Sequence, residues 1–337
     1  MDTLLFALNA VLPILILIGF GYLLKRSNFL KQDFIETANK LVFRIALPCL
    51  LFFNIYSIDS LDDINWSVII YAVIGILILF ALGFIAVFFF IEDKKQKGVI
   101  IQSTLRANFA IIGIPLAESI GGQSAVANVA IIALVAIPLM TALSVISLST
   151  FVDEAIGNPF INAIKKVSRN PLIIGVLMGM LALWIRSFIP VDEVTQELVF
   201  SLKDNLKFIY TPIRWIGQIT SPLALIVLGA TFKFDVINGL KKQIVIGTFL
   251  RSILAPIITL TIGILLAKSF KFFDFDSSVY PALISLFGSP TAVTNAVMAR
   301  EMKNDEALAV QLVVWTTLVS IVTIFIIIVI FRSLKLI

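Results

Sequence analysis

The sequence predicts an all-α integral membrane protein. Ten transmembrane helices are expected in two inverted five-helix repeats, with helices four and nine broken. Three observations carry this. Of 337 residues, 59% are hydrophobic and 14% charged, whereas a soluble domain is about half apolar and about a quarter charged; apolar runs of about 20 residues, enough to cross a bilayer, recur along the whole length. Lysine and arginine collect in alternate loops, which orients the spans. Glycine and proline interrupt two spans at corresponding places in the two halves, the sequence mark of a carrier's binding site.

In order, the first span, 4–24, is too long for a signal-peptide core and has no small-residue cleavage site, so it is expected to stay in the chain. The second, 35–56, follows Lys25, Arg26 and Lys31 and holds Pro48, Cys49 and Asn54. The third, 67–91, ends before Lys94, Lys95 and Lys97. The fourth, 99–121, carries Arg106, Asn108, Gly113 and Pro115; the fifth is 125–150. A loop, 151–170, with Lys165, Lys166 and Arg169, leads to the sixth span, 171–189. In 191–206, Val191, Val194, Leu198, Leu202 and Leu206 recur at helical spacing. That stretch reads as a helix on the membrane interface or as an ordinary ordered loop. The seventh span, 209–232, holds Pro222, and the eighth, 243–267, holds Arg251. The ninth, 277–299, holds Gly288 and Pro290; the tenth is 307–331.

Loops after odd-numbered spans carry fourteen Lys and Arg residues, against seven on the other side. The odd loops are therefore expected in the cytoplasm, with both termini outside. Spans one to five and six to ten then run in opposite senses. This makes 1–150 and 171–337 inverted repeats joined by a cytoplasmic 151–170. Pro115 and Pro290 are 175 positions apart, and Pro48 and Pro222 are 174 apart. The net charge of +5 reflects the basic loops and implies no nucleic acid.

Ser289 followed by Pro290 reads as an N-cap and a first helical residue. Span nine is expected to stop near Gly288 and restart at Pro290, and span four to break near Gly113–Pro115. Such breaks leave backbone groups unpaired, tolerated at membrane depth only inside protein or facing water. In the competing reading each proline merely kinks a packed helix.

There is no histidine, and the one cysteine, Cys49, lies in an apolar run. The usual zinc, haem and copper ligands and the usual proton switch are missing, and no intrachain disulfide can form. No Walker motif and no nucleophile with a base beside it is visible. Neither an enzyme nor a pump is expected, and no cofactor or metal. Glu118, three residues after Pro115, reads as a span end among headgroups or as a coupling carboxylate.

Arg106 and Arg251 each lie about two turns into a span; a buried arginine is a functional candidate by default. Snorkelling, or pairing with helix carbonyl ends, is the alternative. Arg44 and Arg214 sit nearer span ends and read as interfacial. The candidate substrate-binding set is Asn108, Gly113, Pro115, Ser289, Pro290, Thr291, Asn295, Asn54 and Arg251. Neutral donors beside half-helix N-termini suit a carboxylate. Hydrogen bonding between helices competes for any one of them.

Residues 12–26, 47–54 (Leu-Pro-Cys-Leu-Leu-Phe-Phe-Asn), 108–115, 170–175 and 221–230 (Ser-Pro-Leu-Ala-Leu-Ile-Val-Leu-Gly-Ala) resemble, in order and spacing, the auxin efflux carrier family in its bacterial and archaeal branch. The resemblance implies that spans four and nine cross at their breaks, as in sodium–bile acid symporters. It implies a scaffold of spans one, two, six and seven that dimerises, and a crossover group that moves elevator-fashion. Family substrates are organic anions: auxin in plants, malate or malonate in bacteria. In the plant branch an asparagine of the broken fourth span meets the substrate carboxylate, which points to Asn108. The long cytoplasmic loop of many plant carriers has no counterpart in the short 151–170.

The expectation is a multi-pass carrier or permease of the cytoplasmic membrane for a small organic anion, such as an auxin-like monocarboxylate, malate or malonate. Its partners would be that anion, the lipid bilayer and a second copy. The rivals are a sodium-coupled organic-anion symporter of the bile-acid type and a non-transporting membrane receptor or sensor.

Overall fold

The computed structural model describes residues 3–57, 65–151, 171–190, 198–232 and 239–337. The 151–170 loop beyond Phe151, and residues 191–197 of the amphipathic stretch, lie outside them. The described chain forms α1 (Thr3–Arg26), α2 (Gln32–Tyr56), α3 (Trp66–Phe90), α4 (Lys94–Leu105), α5 (Phe109–Thr150) and α6 (Pro171–Arg186). These are followed by α7 (Lys207–Ala230), α8 (Lys241–Ser269), α9 (Val279–Gly288), α10 (Thr294–Glu301) and α11 (Glu306–Ser333). No strand occurs among the described residues. Seven of these helices, α1, α2, α3, α5, α7, α8 and α11, are long and apolar enough to cross a membrane; α6 and α9 are apolar but shorter.

Side chains set where several helices begin. Asn65 caps α3 by accepting from Ser67 N, Asp93 caps α4 by accepting from Lys95 N and Gln96 N, and Asp305 caps α11 by accepting from Leu308 N. Each satisfies backbone donors that no helical carbonyl can reach. Prolines set the irregularities. The wide π turns Val42–Ala46, Phe109–Gly113 and Leu250–Leu254 each end two residues before a proline: Pro48, Pro115 and Pro256. The ring of a proline clashes with the carbonyl four residues back. Here that carbonyl belongs to Arg44, Ile111 or Ser252, inside the widened turn, so each helix continues past its proline. At Gly122 the backbone takes φ 64° and ψ −155°. This bend suits only glycine, and it separates the part of α5 that completes span four from the part that forms span five.

Two contacts bring the outer helices close. A methyl group at Gly21 of α1 would overlap the Ile226 carbonyl of α7, and one at Gly229 of α7 would overlap the Ile18 carbonyl of α1. Without a hydrophobic drive between helices in lipid, such small residues are what permit tight association. α2 packs against α6 and the start of α7, and α5 against α9. Leu12, Ile16, Phe20 and Leu23 on α1, and Leu177, Leu181, Trp184 and Phe188 along and just past α6, stay exposed. Such apolar outer faces are those of a protein solvated by hydrocarbon.

Two sequence expectations are corrected. Span four breaks at Arg106–Asn108, between α4 and α5, and Gly113–Pro115 is helical. The π turn at 109–113 absorbs the proline that was expected to break it. Span nine stops at Gly288 as expected, but its helix resumes at Thr294 instead of Pro290; Ser289 is extended. Of the two readings of 191–206, the described residues 198–206 follow the ordered loop, in turns. There the Asn205 side chain accepts from Ser201 N, and Ser201 Oγ donates to the Asp204 carboxylate and accepts from Asp204 N. Such local side-chain bonds compete with helix formation.

Candidate functional site

The two breaks meet. Ala107 and Thr291 form an isolated antiparallel bridge. Asn108 N donates to Pro290 O at 2.7 Å, and Ala292 N donates to Arg106 O at 3.0 Å. In an unbroken helix Asn108 N would donate to Thr104 O; it turns to the other chain segment instead. Thr291 is held from a third side, its N–H donating to Thr316 Oγ1 of α11 at 3.2 Å. Asn295 Nδ2 donates to Thr291 Oγ1 at 2.7 Å.

A cavity of about 420 Å³ lies against this bridge. Its walls include Arg106 and Asn108 from the break, Thr294 and Met298 from α10, Thr141 from α5 and Arg44 from α2. Asn108 is only 4% exposed, and its amide Nδ2 has no hydrogen-bond partner. A buried unpaired donor costs about 1–3 kcal/mol, so it marks a place where a ligand atom would be welcome. The Arg106 guanidinium donates to Met298 Sδ, a weak acceptor. Among the described residues no carboxylate pairs with it, and none lines the cavity. A full cation and an amide donor, both incompletely satisfied, thus face one volume. Charge-assisted bonds from such donors are about twice as strong as neutral ones and favour an anion.

A second cavity, of about 380 Å³, lies beside α5 just past the bend at Gly122 and includes Asn54, Asn65, Asn128, Asp276 and Ser278 in its lining. Asn54 is likewise 4% exposed with an unpartnered Nδ2. Ile131 lines this cavity and Ile137 the first, a separation of about 9 Å along the helix.

Of the nine expected residues, Asn108 lines the bridge cavity and Asn54 the other. Ser289, Pro290 and Thr291 are buried within the break of span nine, and Asn295 is buried in the first turn of α10. Gly113 and Pro115 are buried in the continuous part of α5. Arg251 is fully buried and lines neither cavity; its guanidinium donates to the Thr104, Leu286 and Ser289 carbonyls. Glu118 is exposed and lines neither cavity. The set lacked Arg106, Thr294, Thr141, Met298 and Arg44. Arg106 carried a readable signal, since no Asp or Glu stands within four residues of it. Thr141 and Arg44 reach the cavity only through tertiary folding.

A family model described as membrane transport protein matches residues 6–328. An uncharacterised transporter of Methanocaldococcus jannaschii is 26% identical over 270 residues, covering 76% of this chain and 79% of that protein. Another uncharacterised transporter, of Methanothermobacter thermautotrophicus, is 23% identical over 322 residues, 94% of this chain and 95% of that one. With apolar crossing helices and a match over nearly the whole length, the chain belongs to the membrane transport protein family, that of the auxin efflux carriers, and is a multi-pass membrane transporter.

Proposed function

We propose that the chain is a secondary carrier for a small organic anion, whose carboxylate binds between Arg106 and Asn108. One observation carries this: the unpartnered Asn108 amide and the Arg106 guanidinium line the same cavity at the bridge. A carboxylate can accept from both at once. Arg44, on the α2 wall, adds a second cation, which suits a dicarboxylate such as malate or malonate.

The architecture that goes with this reading is ten transmembrane helices in inverted repeats, 1–150 and 171–337. Exchanging spans one and two with six and seven turns the α1–α7 contact into the α6–α2 contact, and both contacts are present. Breaks fall in spans four and nine, the pair the same exchange relates. The basic loops lie in the cytoplasm and both termini outside. Two of these loops meet at one end, where Gln96 Nε2 donates to Asp305 Oδ2 at 3.2 Å. Helices α1, α2, α6 and α7 form the scaffold, with their apolar faces against lipid or a second copy. The crossed segments shift against it in an elevator motion. At about 2.3 kcal/mol per charge per 100 mV, a negative-inside potential favours export of the anion.

The test is flux of labelled malate, malonate and an auxin-like monocarboxylate in proteoliposomes under an imposed potential. Saturable, potential-dependent flux of at least one is expected. Flux no greater than in empty liposomes for all three would refute the reading.

A further inference from the structure

Arg251 lies in the π turn of α8, fully buried, on the opposite account from Arg106. Its Nε donates to Ser289 O at 2.8 Å and its Nη2 to the same oxygen at 2.6 Å. Nη2 also donates to Leu286 O at 3.0 Å, and Nη1 to Thr104 O at 3.0 Å. Each acceptor was left open by a break. Leu286 O would serve the N–H of residue 290, but that residue is proline and has none. Thr104 O would serve Asn108 N, which instead donates to Pro290 O. Ser289 is the extended residue just past α9. The C-terminal ends of two half-helices, α4 and α9, therefore converge on one guanidinium. Each end carries roughly half a negative charge, so one fixed cation balances the pair.

In carriers with discontinuous helices, unwound carbonyls and half-helix C-terminal ends are the groups that coordinate a coupling sodium ion. We infer that Arg251 is a tethered cation holding that place, so that the carrier's cycle runs without sodium bound at the crossover. This deepens the proposed function, and rests on it for the existence of a transport cycle. The positive charge belongs to the protein, moves with the crossed segments in both directions and is not carried across. Arg251 is thus a positioning residue. It fixes the bridge beside which Asn108 and Arg106 sit, and touches no substrate.

The test needs no substrate, so its failure is separate from a failure of the flux assay. Thermal unfolding of the purified full chain is followed in sodium chloride and in choline chloride at equal ionic strength. The same measurement is made on Arg251→Lys, which keeps the cation, and Arg251→Gln, which keeps donors but no charge. The expected result is one Tm in both salts for the unaltered protein, with Arg251→Lys less stable and Arg251→Gln lower again or failing to fold. A saturable sodium-dependent rise in Tm of the unaltered protein would overturn the inference. So would Arg251→Gln unfolding at the same temperature as Arg251→Lys, because the place would then not require a cation.

Discussion

Arg106 and Arg251 are the same residue at the same crossover, and the structure uses them in opposite ways. Arg251 makes four hydrogen bonds to three backbone carbonyls and is fully buried. Arg106 is partly buried, sits in the break itself and donates to a methionine sulfur while lining a cavity. A guanidinium has five N–H donors and stays charged. In a low-dielectric interior those donors must be satisfied by protein or held for a ligand. The contrast teaches that charge and burial alone do not separate a clamp from a binding site; the identity of the acceptors does.

The largest effect is expected where the clamp is cut. Arg251→Gln removes the cation and leaves at least one of the Thr104, Leu286 and Ser289 carbonyls unpaired. Each buried unpaired group costs about 1–3 kcal/mol, and losing the partner charge adds to this, for about 3 kcal/mol or more in all. Unfolding monitored by denaturant or heat should report the loss, with affinity near normal in the protein that does fold. A variant of normal stability that cannot bind would erase the distinction between the two arginines.

Arg106→Gln should do the reverse. Truncating one member of a buried charge pair costs about 2–5 kcal/mol of binding, or about thirtyfold to a few thousandfold in Kd. Stability should hardly change, because the present partner is only a thioether. Binding of the anion identified by flux, measured on the purified variant, checks this. Normal affinity in Arg106→Gln would move the site away from the cavity. Asn108→Ala should follow at about 1.5–3 kcal/mol, one hydrogen bond to a charged ligand, equal to about tenfold to over a hundredfold in Kd. Removing an unpartnered amide should not destabilise the free protein, and a clear drop in Tm for Asn108→Ala would show that the amide has a structural partner.

The sequence showed the apolar helices, the stop at Gly288 and the candidacy of Asn108, because all three are local signals. Hydrophobic runs, a Gly-x-Pro and a polar residue in an apolar stretch are visible without knowing the fold. The break at Arg106–Asn108 was not visible. No glycine or proline marks it, and it exists because Asn108 N finds Pro290 O, 182 positions away. Pro115 looked like a break because the π turn that accommodates Pro115 leaves no compositional trace. Pro48 and Pro256 share that arrangement, which only the structure reveals. The role of Arg251 was open between ligand contact and carbonyl pairing, since only tertiary structure brings Thr104, Leu286 and Ser289 to one point. Arg44 sits near a span end, where the local signal is interfacial, and its position on the cavity wall depends on how α2 packs.

The smallest effect is expected at Glu118, where a null result sharpens the contrast most. If the anion is held by Arg106 and Asn108, with Arg251 as fixed cation, the cycle needs no carboxylate that gains and loses a proton. Glu118 stands on α5 between Pro115 and the bend at Gly122, exposed, and lines neither cavity. Glu118→Gln keeps the shape and removes the charge. Flux through Glu118→Gln should match the unaltered protein, and its dependence on pH should be superimposable. The comparison must be made at matched membrane potential, because potential alone drives an anion. Should Glu118→Gln fold normally yet lose transport or flatten the pH profile, a proton-coupling group would sit on α5. The arginines would then account for binding only, and the energy for movement would enter elsewhere in the molecule.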